Sequence, residues 1–321
     1  MIIKNLIIDY KTKSGIITAV ENISFEVAEG KSIGIVGESG SGKSTLALAL
    51  IRSLPENGSV RSGDVIVNDQ DILNMDEKTF DEIFRWKEIS MIFQGSMNSL
   101  DPVFSIEKQM KEILKVHKIK DDLGKYDSII KKALTEVGLD PETVSKRYPH
   151  ELSGGMKQRI VIANSLLLEP SILIADEPTT ALDVITQSQI IALLKNMKNT
   201  KKMKIILITH DLSLIPNVVD KVIIMYAGQA VEISDIKTIL NKPLHPYTQA
   251  LIRSIPNIKS TKKTIQFIAG ESPNLLNIKQ GCRFKDRCSQ ALDICENNPP
   301  DINIEGNQVK CWLYDNENKL T

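Results

Sequence analysis

The sequence has no cysteine before residue 282, no apolar run long enough to cross a bilayer, and no excess of either charge. Each absence closes off a class. All four cysteines fall between Cys282 and Cys311, so disulfides do not hold the main fold together, and their clustering points to a local site. A membrane-spanning helix needs about 20 consecutive apolar residues. The best apolar runs, at 172–175, 205–208 and 222–227, are far shorter and read as buried strands. Lys and Arg together number 40, and so do Asp and Glu. A general nucleic-acid binder shows a basic excess, so no nucleic acid is expected as a partner. Lys4 and Asp9 interrupt the apolar opening of the chain and no small-residue cleavage site follows, which argues against a secretory signal. The expectation is a cytoplasmic chain whose role at a membrane comes through a partner. No internal repeat is visible.

What is present is ordinary globular material. The 321 residues, 42% hydrophobic and 25% charged, suffice for one large domain and a smaller one. Alternating apolar and polar residues rich in Ile and Val fill the first 35 positions and predict antiparallel strands. A strand is expected at 32–36 and a helix of Ala and Leu at 45–52. Residues 105–165 carry a helical pattern, and from 170 strands alternate with helices. That alternation implies a parallel sheet covered on both faces. Pro243, Pro246, Pro256 and Pro273 mark a change of character, placing a boundary near 240. The domains expected are 1–240, with a helical part at about 95–165, and 241–321.

Gly37-Glu38-Ser39-Gly40-Ser41-Gly42-Lys43-Ser44-Thr45 fits the phosphate-binding loop, or P-loop: Gly, four residues, Gly-Lys-Ser. Glycines let the backbone turn tightly and approach phosphates. The exposed N–H groups and the start of the following helix favour an anion. Lys43 is expected to reach the β- and γ-phosphates, and the Ser44 hydroxyl to ligate Mg²⁺. Further on, the apolar run ending Ala175-Asp176-Glu177-Pro178 puts two carboxylates at the end of a strand, where parallel sheets gather ligands. Asp176 is the expected Mg²⁺ partner, and Glu177 the general base that polarises the attacking water.

Leu152-Ser153-Gly154-Gly155-Met156-Lys157-Gln158-Arg159 resembles the signature motif of the ABC transporter ATPases. The resemblance implies an α/β fold: a P-loop NTPase core with a parallel sheet, an N-terminal antiparallel β subdomain, a helical signature subdomain and a small cysteine-containing extension. It also implies that Ser153, Gly154, Gly155 and Gln158 face ATP held by a partner's phosphate loop, so that two such domains clamp head to tail. Other positions match the family in order. Tyr10 matches the aromatic that stacks on adenine, and Gln94 the glutamine that senses Mg²⁺ and water beside the membrane partner. Asp183 matches a loop that crosses the dimer interface. His210 matches the histidine on the γ-phosphate.

The version that the chain resembles best is the ATPase of oligopeptide and dipeptide permeases, on Tyr148-Pro149-His150-Glu151, residues 175–184 and Pro243-Leu244-His245-Pro246-Tyr247-Thr248-Gln249-Ala250-Leu251. The last stretch marks the branch and is not expected to serve ATP chemistry. The implied partners are a second, paralogous ABC ATPase subunit, two transmembrane permease subunits and an extracellular substrate-binding protein. The implied place is the cytoplasmic face of the membrane, and the implied cargo is peptide, with nickel and oligosaccharide importers as the neighbouring alternatives. A translation or DNA-repair ABC ATPase is the rival class; tandem cassettes or a long coiled-coil insertion would favour it, and the sequence shows neither.

Cys282, Cys288, Cys295 and Cys311 supply four thiols. Zinc sites usually show short Cys-x2–4-Cys pairs, absent here. Disulfides do not suit a cytosolic chain. A four-thiolate cage also suits an iron–sulfur cluster, and spacing alone leaves zinc, cluster and no metal open. The resemblance, carried by Gly281-Cys282-Arg283-Phe284 and Pro299-Pro300, implies a [4Fe-4S] cluster in some members.

Overall fold

The computed structural model describes residues 1–122, 124–254 and 268–315; the expected break at Pro256 lies outside them. In chain order the strands are β1 (Ile2–Thr12), β2 (Gly15–Glu26), β3 (Ser32–Val36), β4 (Gly58–Val67), β5 (Gln70–Asp71), β6 (Ile89–Ile92), β7 (Ile172–Asp176), β8 (Lys204–Thr209), β9 (Lys221–Tyr226), β10 (Gln229–Asp235), β11 (Asp301–Ile304) and β12 (Asn307–Lys310). The helices are α1 (Lys43–Leu50), α2 (Glu77–Ile83), α3 (Ile106–Val116), α4 (Lys125–Glu136), α5 (Pro141–Val144), α6 (Gly154–Leu166), α7 (Val184–Lys201), α8 (Ile236–Asn241) and α9 (Pro246–Ser254).

The chain forms two compact units. The first joins residues 1–28, 32–73 and 208–321, so that its opening strands and its cysteine segment fold together. Within it, β2, β1, β4 and β5 make an antiparallel sheet in that order, as the alternating pattern predicts. A second sheet runs β11-β12-β10-β9-β3. Its pairings are antiparallel until β9 meets β3, where Ile35 lies opposite Ile223 in parallel register. All five residues of β3 are buried. That is why an unbroken apolar run replaces alternation there: both faces of a parallel strand are covered.

The second unit holds residues 29–31 and 74–207. Here β6 and β7 pair in parallel, Ile89 opposite Ile172 and Ile92 opposite Ala175. Helices α2 to α7 make up most of the rest. Amphipathic α3 buries Ile106, Met110 and Leu114 at the four-residue spacing of one helix face. Its N-cap is Ser105, whose hydroxyl accepts from the Lys108 N–H. Among the described residues, no helix is long and apolar enough to cross a membrane.

Candidate active site

In the first unit, β3 feeds the phosphate loop and α1 leaves it. Gly37 is forced by its surroundings: a Cβ there would lie 2.1 Å from the Met225 carbonyl oxygen and 2.7 Å from Ser41 Oγ, and backbone cannot yield that much. Helix α1 starts at Lys43 behind Gly42 with no side-chain cap, and a helix start of this kind favours an anion. Lys43 is only 6% exposed. Its ammonium donates to the carbonyls of Gly37 (2.9 Å) and Glu38 (2.7 Å) and reaches Ser41 Oγ at 3.4 Å. Ser39 and Gly40 are exposed at the tip of the loop, while Ser44 and Thr45 are half-buried on the first turn of α1. The Tyr10 hydroxyl donates to Thr45 Oγ1 at 3.3 Å, so the aromatic expected near adenine stands over the start of α1. His210 follows β8 and is exposed.

In the second unit, β7 carries buried Asp176 at its carboxyl end. Glu177 follows with a left-handed backbone, φ 47°, a conformation that costs a non-glycine residue roughly 1–2 kcal/mol. The turn aims its carboxylate at Gln94: Nε2 of Gln94 and Oγ1 of Thr180 each donate to Glu177 Oε2 at 3.0 Å. Two expected site residues, 83 positions apart, thus touch. The strand after which Gln94 projects also borders a cleft of about 820 Å³, lined by Trp86, Met91, Phe93, Leu100, Phe104 and Val116. Phe93 and Val116 are 46% and 67% exposed, unusual for large apolar side chains on one patch.

The signature stretch is built in the same unit. Ser153 caps α6, its hydroxyl accepting from the Met156 N–H at 3.3 Å. A Cβ on Gly155 would lie 2.7 Å from a methyl of Thr186, so glycine lets α6 approach the start of α7. Asp183 caps α7, accepting from the Thr186 N–H (2.9 Å) and hydroxyl (2.7 Å). Those two donors hold its carboxyl below the ordinary range. Ser153, Gly154 and Asp183 present themselves to solvent, but Gln158 is 3% exposed.

The cysteine segment belongs to the first unit. Cys295 and Cys311 are buried, Cys282 and Cys288 half-buried. The Cys282 N–H donates to the Cys295 carbonyl at 2.9 Å. Burial raises the thiols of Cys282, Cys288 and Cys311, the last to about 11, and the sulfurs raise one another. Among the described residues, no group of three or more His, Cys, Asp or Glu side chains is gathered closely enough to hold a metal ion. Neither a zinc ion nor an iron–sulfur cluster therefore finds a preformed cage among the described residues.

Sequence reasoning missed what fastens this segment. Arg283 pairs with Glu21 and donates to the Ala227 carbonyl. Phe284 packs against Tyr226, Tyr247 and His245. Arg287 grips Glu38 of the phosphate loop with both terminal nitrogens, at 2.8 and 2.9 Å. The stretch around Tyr247, expected to stand apart from ATP chemistry, touches the same residue: the Glu38 N–H donates to the Tyr247 hydroxyl at 3.0 Å. Burial pushes that phenol up, so it keeps its proton. The one available signal was composition: Glu38 is an acid in a loop meant for phosphates, and an acid there needs a partner.

Comparison with known proteins shows the family. Residues 20–180 match the family described as ABC transporter. Residues 231–295 match the family described as oligopeptide/dipeptide transporter, C-terminal region. A dipeptide transport ATP-binding protein of Caldanaerobacter subterraneus is 42% identical over 311 residues, covering 95% of this chain and 94% of that one. An oligopeptide transport ATP-binding protein of Escherichia coli is 40% identical, over 93% and 88% of the two chains. Among solved structures, a dimeric ATP-binding cassette in a post-hydrolysis state with ADP and Pi superposes with TM-score 0.64 at 26% identity, covering 73% of this chain and 98% of that one. A component of a Clostridium perfringens ABC transporter complex gives 0.65 at 27%, covering 75% and 90%.

Proposed function

The chain belongs to the ABC transporter family as an ATP-hydrolysing transport subunit, and from that premise we propose that it powers the uptake of di- or oligopeptides through membrane subunits docked on its apolar cleft. One observation carries the reading: the hydrogen bond from Gln94 to Glu177. It ties a carboxylate suited to general-base work to a segment that borders the open cleft at Phe93. A membrane helix seated in that cleft, against residues 94–105, would feel the state of the base directly. The relatives named for dipeptide and oligopeptide transport supply the cargo class.

The roles follow from chemistry. Tyr10 stacks on adenine. N–H groups of the loop and α1, with Lys43, neutralise the phosphates and hold them in line. The Ser44 hydroxyl and Asp176 carboxylate are hard oxygen donors that fit Mg²⁺, which when bound would offset charge on the transferred phosphate. Glu177 takes the proton of the attacking water, His210 steadies the γ-phosphate, and ADP and phosphate leave. Charge stabilisation and positioning carry most of the rate. Ser153, Gly154 and Gly155 serve the ATP of a second ATPase subunit, a paralogue, and Asp183 lies at that interface. This assembly puts the chain on the cytoplasmic face of the membrane, with an extracellular binding protein delivering cargo.

The test is reconstitution with the membrane subunits and binding protein. Glu177→Gln should retain ATP binding while turnover and uptake fall by roughly 10²–10⁴; unchanged turnover would remove Glu177 as base. Identifying the ligand that copurifies with the binding protein checks the cargo: peptide supports the proposal, while nickel or an oligosaccharide overturns that part. The four thiols also fit, by donor chemistry, a [4Fe-4S] cluster on Cys282, Cys288, Cys295 and Cys311, which would tie the segment together. Anaerobically purified protein should be brown with broad visible absorbance; colourless protein with one zinc per chain excludes the cluster.

A further inference from the structure

We infer that Arg287, together with Tyr247, is a positioning residue for the nucleotide site, acting through Glu38 of the phosphate loop. The inference rests on the ATPase reading above. Glu38 is held at three points. Its carbonyl accepts from the Lys43 ammonium, its N–H donates to Tyr247, and its carboxylate takes both nitrogens of Arg287 and the Ser272 hydroxyl. Arg287 is itself fixed. Its side chain is 7% exposed, donates to the Ala269 carbonyl (2.8 Å) and the Tyr226 hydroxyl (3.2 Å), and lies over the Tyr226 ring. Bidentate pairing with that much support is unlike a surface ion pair, which contributes little.

The charge argument is simple. Glu38 is the only acid among residues 37–45, and those residues must receive a triphosphate. Left alone, its carboxylate repels the ligand. Arg287 cancels that charge and points the carboxylate away along a fixed direction. The loop is therefore finished by the C-terminal segment, and Arg287 sits on the short turn Lys285–Arg287 immediately before Cys288. Through Arg287 the C-terminal segment reaches the phosphate loop at Glu38.

A repulsion felt equally by bound ATP and by the transition state raises KM and spares kcat. In the assembled complex, Arg287→Met should raise the KM for ATP roughly tenfold, the scale of one unmatched charge near a phosphate, with kcat within about twofold. Glu38→Gln placed on top should restore KM to within about twofold of the parent, because the repelling charge is gone. A purely structural role for Arg287 would not be rescued that way. Arg287→Lys keeps a charge without the bidentate fork and should give a rise of roughly two- to threefold; if the Met variant fails to assemble, the Lys variant with and without Glu38→Gln carries the same test. A parental KM in the Arg287 variants, or a rise that Glu38→Gln leaves in place, overturns the inference. Failure of the ATPase reading looks different: the parent protein itself would bind no ATP, and Lys43→Ala would change nothing.

Discussion

The phosphate loop and the cysteine segment are both short, irregular and polar, yet they are held in opposite ways. The loop is defined by backbone. Gly37 has no room for a Cβ beside Met225 and Ser41, and Lys43 bonds to loop carbonyls. The cysteine segment is held by long side chains reaching across the unit, Arg283 to Glu21 and Arg287 to Glu38, around the buried ring of Phe284. Backbone constraints allow few residue types and leave a spaced pattern. Side-chain anchors can sit at any position whose tertiary neighbour matches.

The largest effect should come from the backbone-built part. Gly37→Ala is expected to cost roughly 3 kcal/mol or more and to abolish ATP binding, because the added methyl meets carbonyl oxygen. Gly40→Ala is the internal contrast. Its φ is 77° but nothing lies within 4 Å of a Cβ, so the cost is conformational, about 1–2 kcal/mol. Urea unfolding of both variants reads the gap; equal losses would break the distinction between sterically and conformationally required glycine.

Next comes the anchor. Arg283→Met removes the pair with Glu21 and the donor to Ala227, and leaves Glu21 partly exposed with Gln229 still donating to it at 3.2 Å. The expected loss is about 1–2 kcal/mol, with faster proteolysis of the cysteine segment. ATP affinity should fall less than in the Arg287 variants, since Glu38 keeps its partner.

A pH slope tests the same region without touching the anchors. His245 is buried and burial alone pushes its pKa down to about 3; its Nδ1 accepts the Tyr247 N–H at 3.0 Å. The unfolded chain takes up this proton near pH 6.5 and the folded one does not until about 3. Stability therefore falls as pH drops through that window, by at most about 1.4 kcal/mol per pH unit. Glu232, which accepts the Leu244 and His245 N–H groups, has its pKa raised by burial and opposes this slope, losing stability as pH rises. The difference between the parent and His245→Asn isolates the histidine: the variant should lose about one proton from the slope between pH 6.5 and 4. An unaltered slope would show that His245 does not stay neutral.

The comparison explains what could be read from sequence. The buried runs, the glycine loop and the acidic strand end were legible, because each is dictated by local periodicity or sterics; the caps at Ser153 and Asp183 came from the structure. The Gln94–Glu177 contact joins residues 83 positions apart and was not expected from sequence, where each residue had only its own role. Membership of a motif does not say which way a side chain points, and the burial of Gln158 on α6 was not legible from it. The clasp of Arg287 on Glu38 spans 249 positions, and nothing in either neighbourhood announces the other. Cysteine spacing likewise gives a donor count and no convergence.

Glu38 has one further consequence, in the order of synthesis. A chain emerging from the ribosome shows Gly37 to Ser44 early, with Lys43 and every glycine in place. The Tyr247 hydroxyl arrives some two hundred residues later, and the Arg287 guanidinium later still. Until the guanidinium has followed, the carboxylate of Glu38 stands without its Arg287 partner. The phosphate motif is thus complete in sequence long before the side chain that pairs with its one acid has been made.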